Sequence, residues 1–77
     1  MNIFSIGQLV KPTFSGKRQF YKITDDDLFI LDTEFSCKET AIVIGLFKEK
    51  GQKINWYKIL TNSGLTGYVP RIWISSF

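Results

Sequence analysis

The 77-residue chain contains no histidine, one cysteine and two prolines. One cysteine cannot form an intramolecular disulfide, and without histidine there is neither the usual base for nucleophilic catalysis nor a cluster with metal-ligand spacing. No apolar run approaches the ~18 residues of a membrane span. The sequence therefore predicts a protein that is not an enzyme, has no cofactor or metal and does not enter a membrane. Its cysteine usage favours a cytoplasmic location.

The composition supports one small domain. Hydrophobic residues make up 44% of the chain and aromatic residues 16%, and each aromatic side chain can bury roughly 150–250 Å². A chain of this length can build one compact core. We therefore expect residues 1–77 to form a single domain.

Charge is unevenly distributed along the chain, although the net charge is only +3. Residues 1–24 carry four cations, residues 25–39 carry six acids against one lysine, and residues 40–77 carry five cations against one acid. An acidic middle segment between two basic flanks differs from the uniform basic coat of many nucleic-acid-binding proteins.

Short apolar runs separated by turn residues predict strands, because no window keeps a helical apolar spacing over three turns. The predicted strands cover residues 7–12, 28–31, 40–49, 54–60 and 65–70, and a 3₁₀ turn at 70–73 precedes a closing segment at 73–77. Residues 13–27 predict either a functional loop or a twisted two-stranded excursion, and residues 33–39 a connection. We expect an all-β fold of five or six strands curled into a small barrel, which removes sheet edges.

The alternation of side chains along a strand assigns residues to the faces of the two central strands. Tyr57 and Ile59 share one strand face, so Trp56 points outward or to a rim if Ile59 points inward. The strand at 41–47 is apolar on both faces, and Gly45 predicts a bend or a bulge within it.

The stretch NWYKILTNSGLTGYVPRIWI, residues 55–74, resembles the second half of a Src-homology-3-type barrel. The shared features are Trp-Tyr at the start of a strand, Gly in the turn, Gly-Tyr-Val-Pro in the next strand and Ile-Trp-Ile after one turn. The opening GQLVKP, followed later by AIVIGLF, is similar to small barrels encoded in bacteriophage genomes. The resemblance implies an SH3-like barrel over most of residues 7–77.

The resemblance also implies a binding groove. In eukaryotic members a Trp, a Pro and a following aromatic residue form a shallow groove for proline-rich peptides, and Trp56, Pro70 and Trp73 match those positions. The tyrosine-rich first-strand motif of that groove is replaced here by GQLVKPTF. The acidic run before LFI lies where the long first loop contacts a basic anchor on the peptide. The predicted partner-binding residues are Trp56, Tyr68, Pro70, Trp73, Asp25, Asp26 and Asp27.

These features favour a non-catalytic protein–protein interaction module. The phage-like opening indicates a small accessory protein that docks on a host or virion protein. A phage-encoded protein of this kind would act in the host cytoplasm, with a place in the virion left open. The sequence predicts neither the identity of the partner nor the oligomeric state.

Three other interpretations stay open. Lys17, Arg18 and Lys22 lie among Phe20 and Tyr21, an interleaving of cations and aromatics that is typical of single-stranded nucleic-acid platforms. The neighbouring acids would repel phosphates. A structural subunit would instead bury the second face of the strand at 41–47 in an assembly. Finally, the two tryptophans could fill the barrel ends as core residues.

Overall fold

The computed structural model describes residues 4–24, 27–48 and 55–77 of the chain. Within these ranges the fold is all-β, with seven strands and one 3₁₀ turn. The elements are β1 (Leu9–Pro12), β2 (Lys17–Thr24), β3 (Asp27–Ser36), β4 (Ala41–Lys48), β5 (Asn55–Thr61), β6 (Thr66–Pro70), η1 (Arg71–Trp73) and β7 (Ile74–Ser76). The predicted all-β class and the 3₁₀ turn are confirmed, and the predicted count of five or six strands is corrected to seven. No helix in the described ranges is long and apolar enough to cross a bilayer.

The additional strand and the longer β3 come from a hairpin between residues 17 and 36. β2 and β3 pair antiparallel from Lys17↔Ser36 to Thr24↔Asp27, with an irregular register between Gln19 and Tyr21. Most side chains of this hairpin are exposed. Exposed strands can carry polar residues without burying them, so their sequence lacks the apolar pattern of a core strand. The two-stranded alternative for residues 13–27 is therefore correct only in part, because that range holds β2 and the first residue of β3, and the hairpin extends to Ser36. Residues 33–36, predicted as a connection, belong to β3.

All seven strands lie in one antiparallel sheet, in the order β3-β2-β6-β5-β4-β1-β7. β6 and β7 are four places apart in this order but are joined by the three residues of η1 alone. Four places in a flat sheet span about 19 Å, whereas the four steps from Pro70 to Ile74 reach at most about 14 Å. The sheet therefore curls into a half-barrel.

The apolar core lies inside this curl. Its buried members are Phe4, Val10, Phe20, Phe35, Ala41, Val43, Tyr57, Ile59, Val69 and Ile74. The two β5 residues predicted to share a face are both fully buried, and the neighbouring Trp56 is only half-buried. The buried Tyr57 hydroxyl accepts a hydrogen bond from the Phe4 backbone N–H at 3.2 Å, so its polar atom is satisfied.

Two glycines shape the sheet. The register of β4 against β5 shifts between Val43 and Gly45, where the sequence predicted a bend or a bulge. On β6, a Cβ added to Gly67 would lie 2.5 Å from the Cβ of Phe20. Glycine at position 67 therefore allows the β2 side chain to pack directly on the β6 backbone.

Candidate partner-binding surface

Trp73, the last residue of η1, is fixed by the segment that follows β1. Its carbonyl accepts a hydrogen bond from the Thr13 N–H at 2.9 Å, and the Thr13 hydroxyl donates to the Ile72 carbonyl at 2.6 Å. The Phe14 ring meets the indole of Trp73 edge-on, with 6.0 Å between centroids. These contacts hold the indole half-buried against the margin of the core.

Tyr21 joins the two tryptophans into one aromatic group. Its ring centroid lies 5.1 Å from that of Trp56 and 5.9 Å from that of Trp73. In the β5–β6 register Trp56 lies opposite Pro70. The fold therefore brings together the three groove residues implied by the resemblance, and adds Tyr21, which the sequence had suggested only for nucleic-acid binding.

Tyr68 extends this group on β6. It is the register partner of Tyr21 on β2 and of Lys58 on β5. Its ring lies edge-on to Phe47 at 6.4 Å, and the Lys58 Nζ is 6.0 Å from the ring centroid. We call the half-buried set Tyr21, Trp56, Tyr68, Pro70 and Trp73 the aromatic surface.

Cations border the aromatic surface. The Arg18 guanidinium lies 5.5 Å from the Phe14 ring centroid and 5.6 Å from that of Trp73, within cation–π range. A depression of about 350 Å³ is lined by Lys17, Arg18, Gln19, Tyr21, Ile30, Glu34 and Trp73. A second depression, of about 310 Å³, also borders Tyr21 and is lined in part by Lys22 and Lys58. Among the described residues, Glu34 is the one acid that lines either depression.

Phe20 is not available for the base stacking that the nucleic-acid interpretation required. It is fully buried and stacks on Phe35, with 5.6 Å between centroids and an angle of 21° between the planes. Alternation along β2 explains the difference, since neighbouring residues on a strand face opposite sides of the sheet. Phe20 points into the core and Tyr21 points away from it.

Of the three predicted acidic contact residues, the structure describes Asp27 alone. Asp25 and Asp26 lie outside the described residues. Asp27 is exposed, begins β3 and pairs with Thr24. Thr24 lies three residues beyond Tyr21 on β2, or about 10 Å of strand. We therefore do not assign Asp27 a contact with a ligand on the aromatic surface, because that carboxylate belongs to the far end of the hairpin.

A separate apolar patch lies on the outside of β1, β4 and β5. Its exposed members are Leu9, Ile42 and Leu60. Ile42 pairs with Leu9 on one side and with Leu60 on the other, so the patch is continuous across three strands. The β4 face that the sequence left open to a subunit contact is thus exposed in the single chain.

In residues 4–24, 27–48 and 55–77, no three His, Cys, Asp or Glu side chains lie close enough to hold a metal ion. The free Cys37 is half-buried. No protein-family model matches the chain, and neither a curated protein nor a solved structure matches it.

Proposed function

We propose that the chain is an SH3-like, non-catalytic protein-interaction module that binds a partner through the aromatic surface. The observation that carries this proposal is the contact of Tyr21 with both Trp56 and Trp73 around Pro70. Tyrosine and tryptophan dominate the binding energy of protein interfaces. The residues that match the peptide groove of the family are contiguous on this side of the sheet.

Tyr21 supports the proposal further, because it supplies an aromatic ring that the first strand does not. The sequence has GQLVKPTF where the family carries its tyrosine-rich motif. Tyr21 comes instead from the second strand and packs edge-on against Trp56. An extended peptide lying across these rings would find them already oriented, which reduces the entropy lost on binding.

The β-sheet architecture also agrees with an SH3-like barrel. The sheet is antiparallel and curled, and η1 lies between its last two strands at the position that the resemblance implied. The similarity of GQLVKP and AIVIGLF to phage-encoded barrels suggests the setting. We place the protein in the host cytoplasm as an accessory protein of phage type that docks on a host or virion protein.

An affinity pull-down from bacterial lysate, run with and without nuclease, tests this function. The tagged wild-type chain is compared with Trp56→Ala, and with Phe77→Ala as a control that removes an exposed aromatic ring elsewhere. We expect one stoichiometric protein that survives nuclease, is retained by Phe77→Ala and is lost with Trp56→Ala. Recovery of the same proteins by all three chains would refute the proposed surface.

Nucleic-acid binding is a second candidate, because cations and aromatic rings line the same two depressions. Lys17, Arg18, Lys22 and Lys58 line the two depressions beside Tyr21. Fluorescence anisotropy with a labelled oligothymidylate tests this candidate across a salt series. Affinity should fall steeply with salt, and each alanine variant of Lys17, Arg18 or Lys22 should reduce the log–log slope by about 0.7. Absence of binding at low salt would exclude this function.

A structural subunit is the third candidate, and the exposed patch around Ile42 supports it. Monomeric proteins rarely leave large contiguous apolar patches in water. Sedimentation velocity over a dilution series tests self-assembly, with Ile42→Lys as the variant that places a charge in the patch. A monomer at every concentration would exclude a homo-oligomer through this face.

A further inference from the structure

β3 forms one edge of the sheet. In the described parts of the chain β2 is its single hydrogen-bonded neighbour, so the backbone groups on its other side have no strand partner. β3 is also the longest strand, at ten residues. An exposed edge of this length presents a row of N–H and C=O groups that another strand can pair with.

The first half of this edge is apolar and exposed. Three consecutive residues here are exposed to solvent. The relative solvent accessibilities of Leu28, Phe29 and Ile30 are 49%, 49% and 62%. A run of three exposed apolar residues is unfavourable unless it serves a function. The pairing from Thr24↔Asp27 to Tyr21↔Ile30 is regular, because the irregularity of the hairpin lies beyond it, between Gln19 and Tyr21.

The charge of β3 selects the kind of strand that can pair with it. The strand carries the exposed acids Asp27, Asp32 and Glu34 and no lysine or arginine. A second copy pairing through its own β3 would bring two sets of carboxylates together, and like charges across a strand pair are destabilising. A lysine- or arginine-rich strand would place opposite charges there instead.

We infer that the Asp27–Ile30 edge of β3 binds an extended, basic segment of a protein partner by strand addition, with Asp32 and Glu34 attracting its cations. Backbone hydrogen bonds supply the binding energy, and the alternating side chains of the partner cover Leu28, Phe29 and Ile30. This site goes beyond the proposed function, since its binding group is the backbone edge of β3 and it uses neither tryptophan. Ile30 and Glu34 also line the depression beside Trp73, so the two sites are neighbours.

The test uses a synthetic heptapeptide of alternating lysine and valine, blocked at both ends, added to the nitrogen-15-labelled chain. Amide hydrogen exchange followed by NMR should show new protection at every second residue of Asp27–Ile30, because alternate N–H groups of an edge strand point outward. A glutamate–valine heptapeptide has the wrong charge, and a lysine–proline heptapeptide has the right charge but cannot pair as a strand. Neither should give this pattern.

Variants separate the edge from other sites. The double variant Asp32→Asn with Glu34→Gln should lower the affinity for the lysine–valine peptide about fivefold, as expected for the loss of two exposed ion pairs. Ser5→Lys with Ser76→Lys makes the same change in net charge at exposed positions away from β3 and should have a smaller effect. Trp56→Ala should bind the peptide normally, because Phe20 and Phe35 still hold the hairpin in the core. Failure of the aromatic surface and failure of this edge are therefore distinguishable.

Three results would overturn the inference. The first is peptide-induced protection confined to residues outside β3, or no binding at all. The second is equal binding of the lysine and glutamate peptides. The third is protection of β3 that rises with protein concentration in the absence of any peptide, which would identify a second copy of the chain as the occupant.

Discussion

Tyr21 and Trp56 lie on strands that do not pair with each other, yet their ring centroids are 5.1 Å apart. β6 runs between the two strands, and the ladder between β2 and β6 consists of the single pair Tyr21↔Tyr68. The contact between the rings therefore adds to the attachment of the β2–β3 hairpin, whose Phe20 and Phe35 already lie in the buried core. A hairpin by itself is only marginally stable in water, so the same rings serve both anchoring and the proposed recognition.

Replacing Trp56 with alanine should impair binding more than folding. The side chain is half-buried and lies on the outer face of β5, so we expect the free energy of unfolding to fall by about 1–2 kcal/mol. Loss of an interface hot spot should lower the affinity for the partner by about thirtyfold or more. Urea unfolding and calorimetric titration measure the two effects. A chain that no longer folds would make Trp56 a core residue and remove it from the surface.

Gly67→Ala should be strongly destabilising. The new Cβ would lie 2.5 Å from the Cβ of Phe20, which belongs to the buried core and cannot move away cheaply. We expect a loss of about 2–3 kcal/mol, typical of an overpacked site, measured by urea unfolding. Gly45→Ala is the matched control, because its Cβ would meet the nearest atom at 3.4 Å. Equal losses for the two variants would contradict this explanation.

Tyr57→Phe should cost about 1–2 kcal/mol although the ring itself is retained. The hydroxyl accepts the Phe4 N–H in the buried core, and its removal leaves that donor without its partner. The loss should appear in urea unfolding, together with faster hydrogen exchange of the Phe4 amide. Wild-type exchange at Phe4 in the variant would show that the hydrogen bond does not protect this segment.

Thr61→Val should destabilise the turn between β5 and β6. The buried Thr61 hydroxyl accepts the Leu65 N–H at 3.0 Å and lies 2.9 Å from the Ser63 hydroxyl, which donates to Glu39 at 2.7 Å. Valine keeps the shape and removes the acceptor, so we expect a loss of about 1–2 kcal/mol. Thr61→Ser retains the hydroxyl and should cost less. Thermal unfolding of both variants compares them, and a more stable valine variant would disprove the role of this network.

The strands of the main sheet could be predicted because each carries its own signal. β4 carries three consecutive β-branched residues at 42–44, and β6 ends in the Pro that precedes the 3₁₀ turn. The hairpin at 17–36 could not be predicted in full, since exposed strands need no apolar alternation. The place of Tyr21 beside the two tryptophans depends on the β2–β6 pairing, which is a long-range contact that no local pattern encodes.

The pairing of β1 with β7 determines when the sheet can close during synthesis. Val10 lies opposite Ser76 and Pro12 opposite Ile74, so one side of β1 stays without its partner strand until residues 74–76 have been synthesised and have left the ribosome. The β2–β3 hairpin depends on local contacts and can form earlier in synthesis. In the interval the apolar strand β4 is present before the sheet has closed around it. The nascent chain is therefore expected to bind chaperones during that interval, and its release should coincide with the docking of β7.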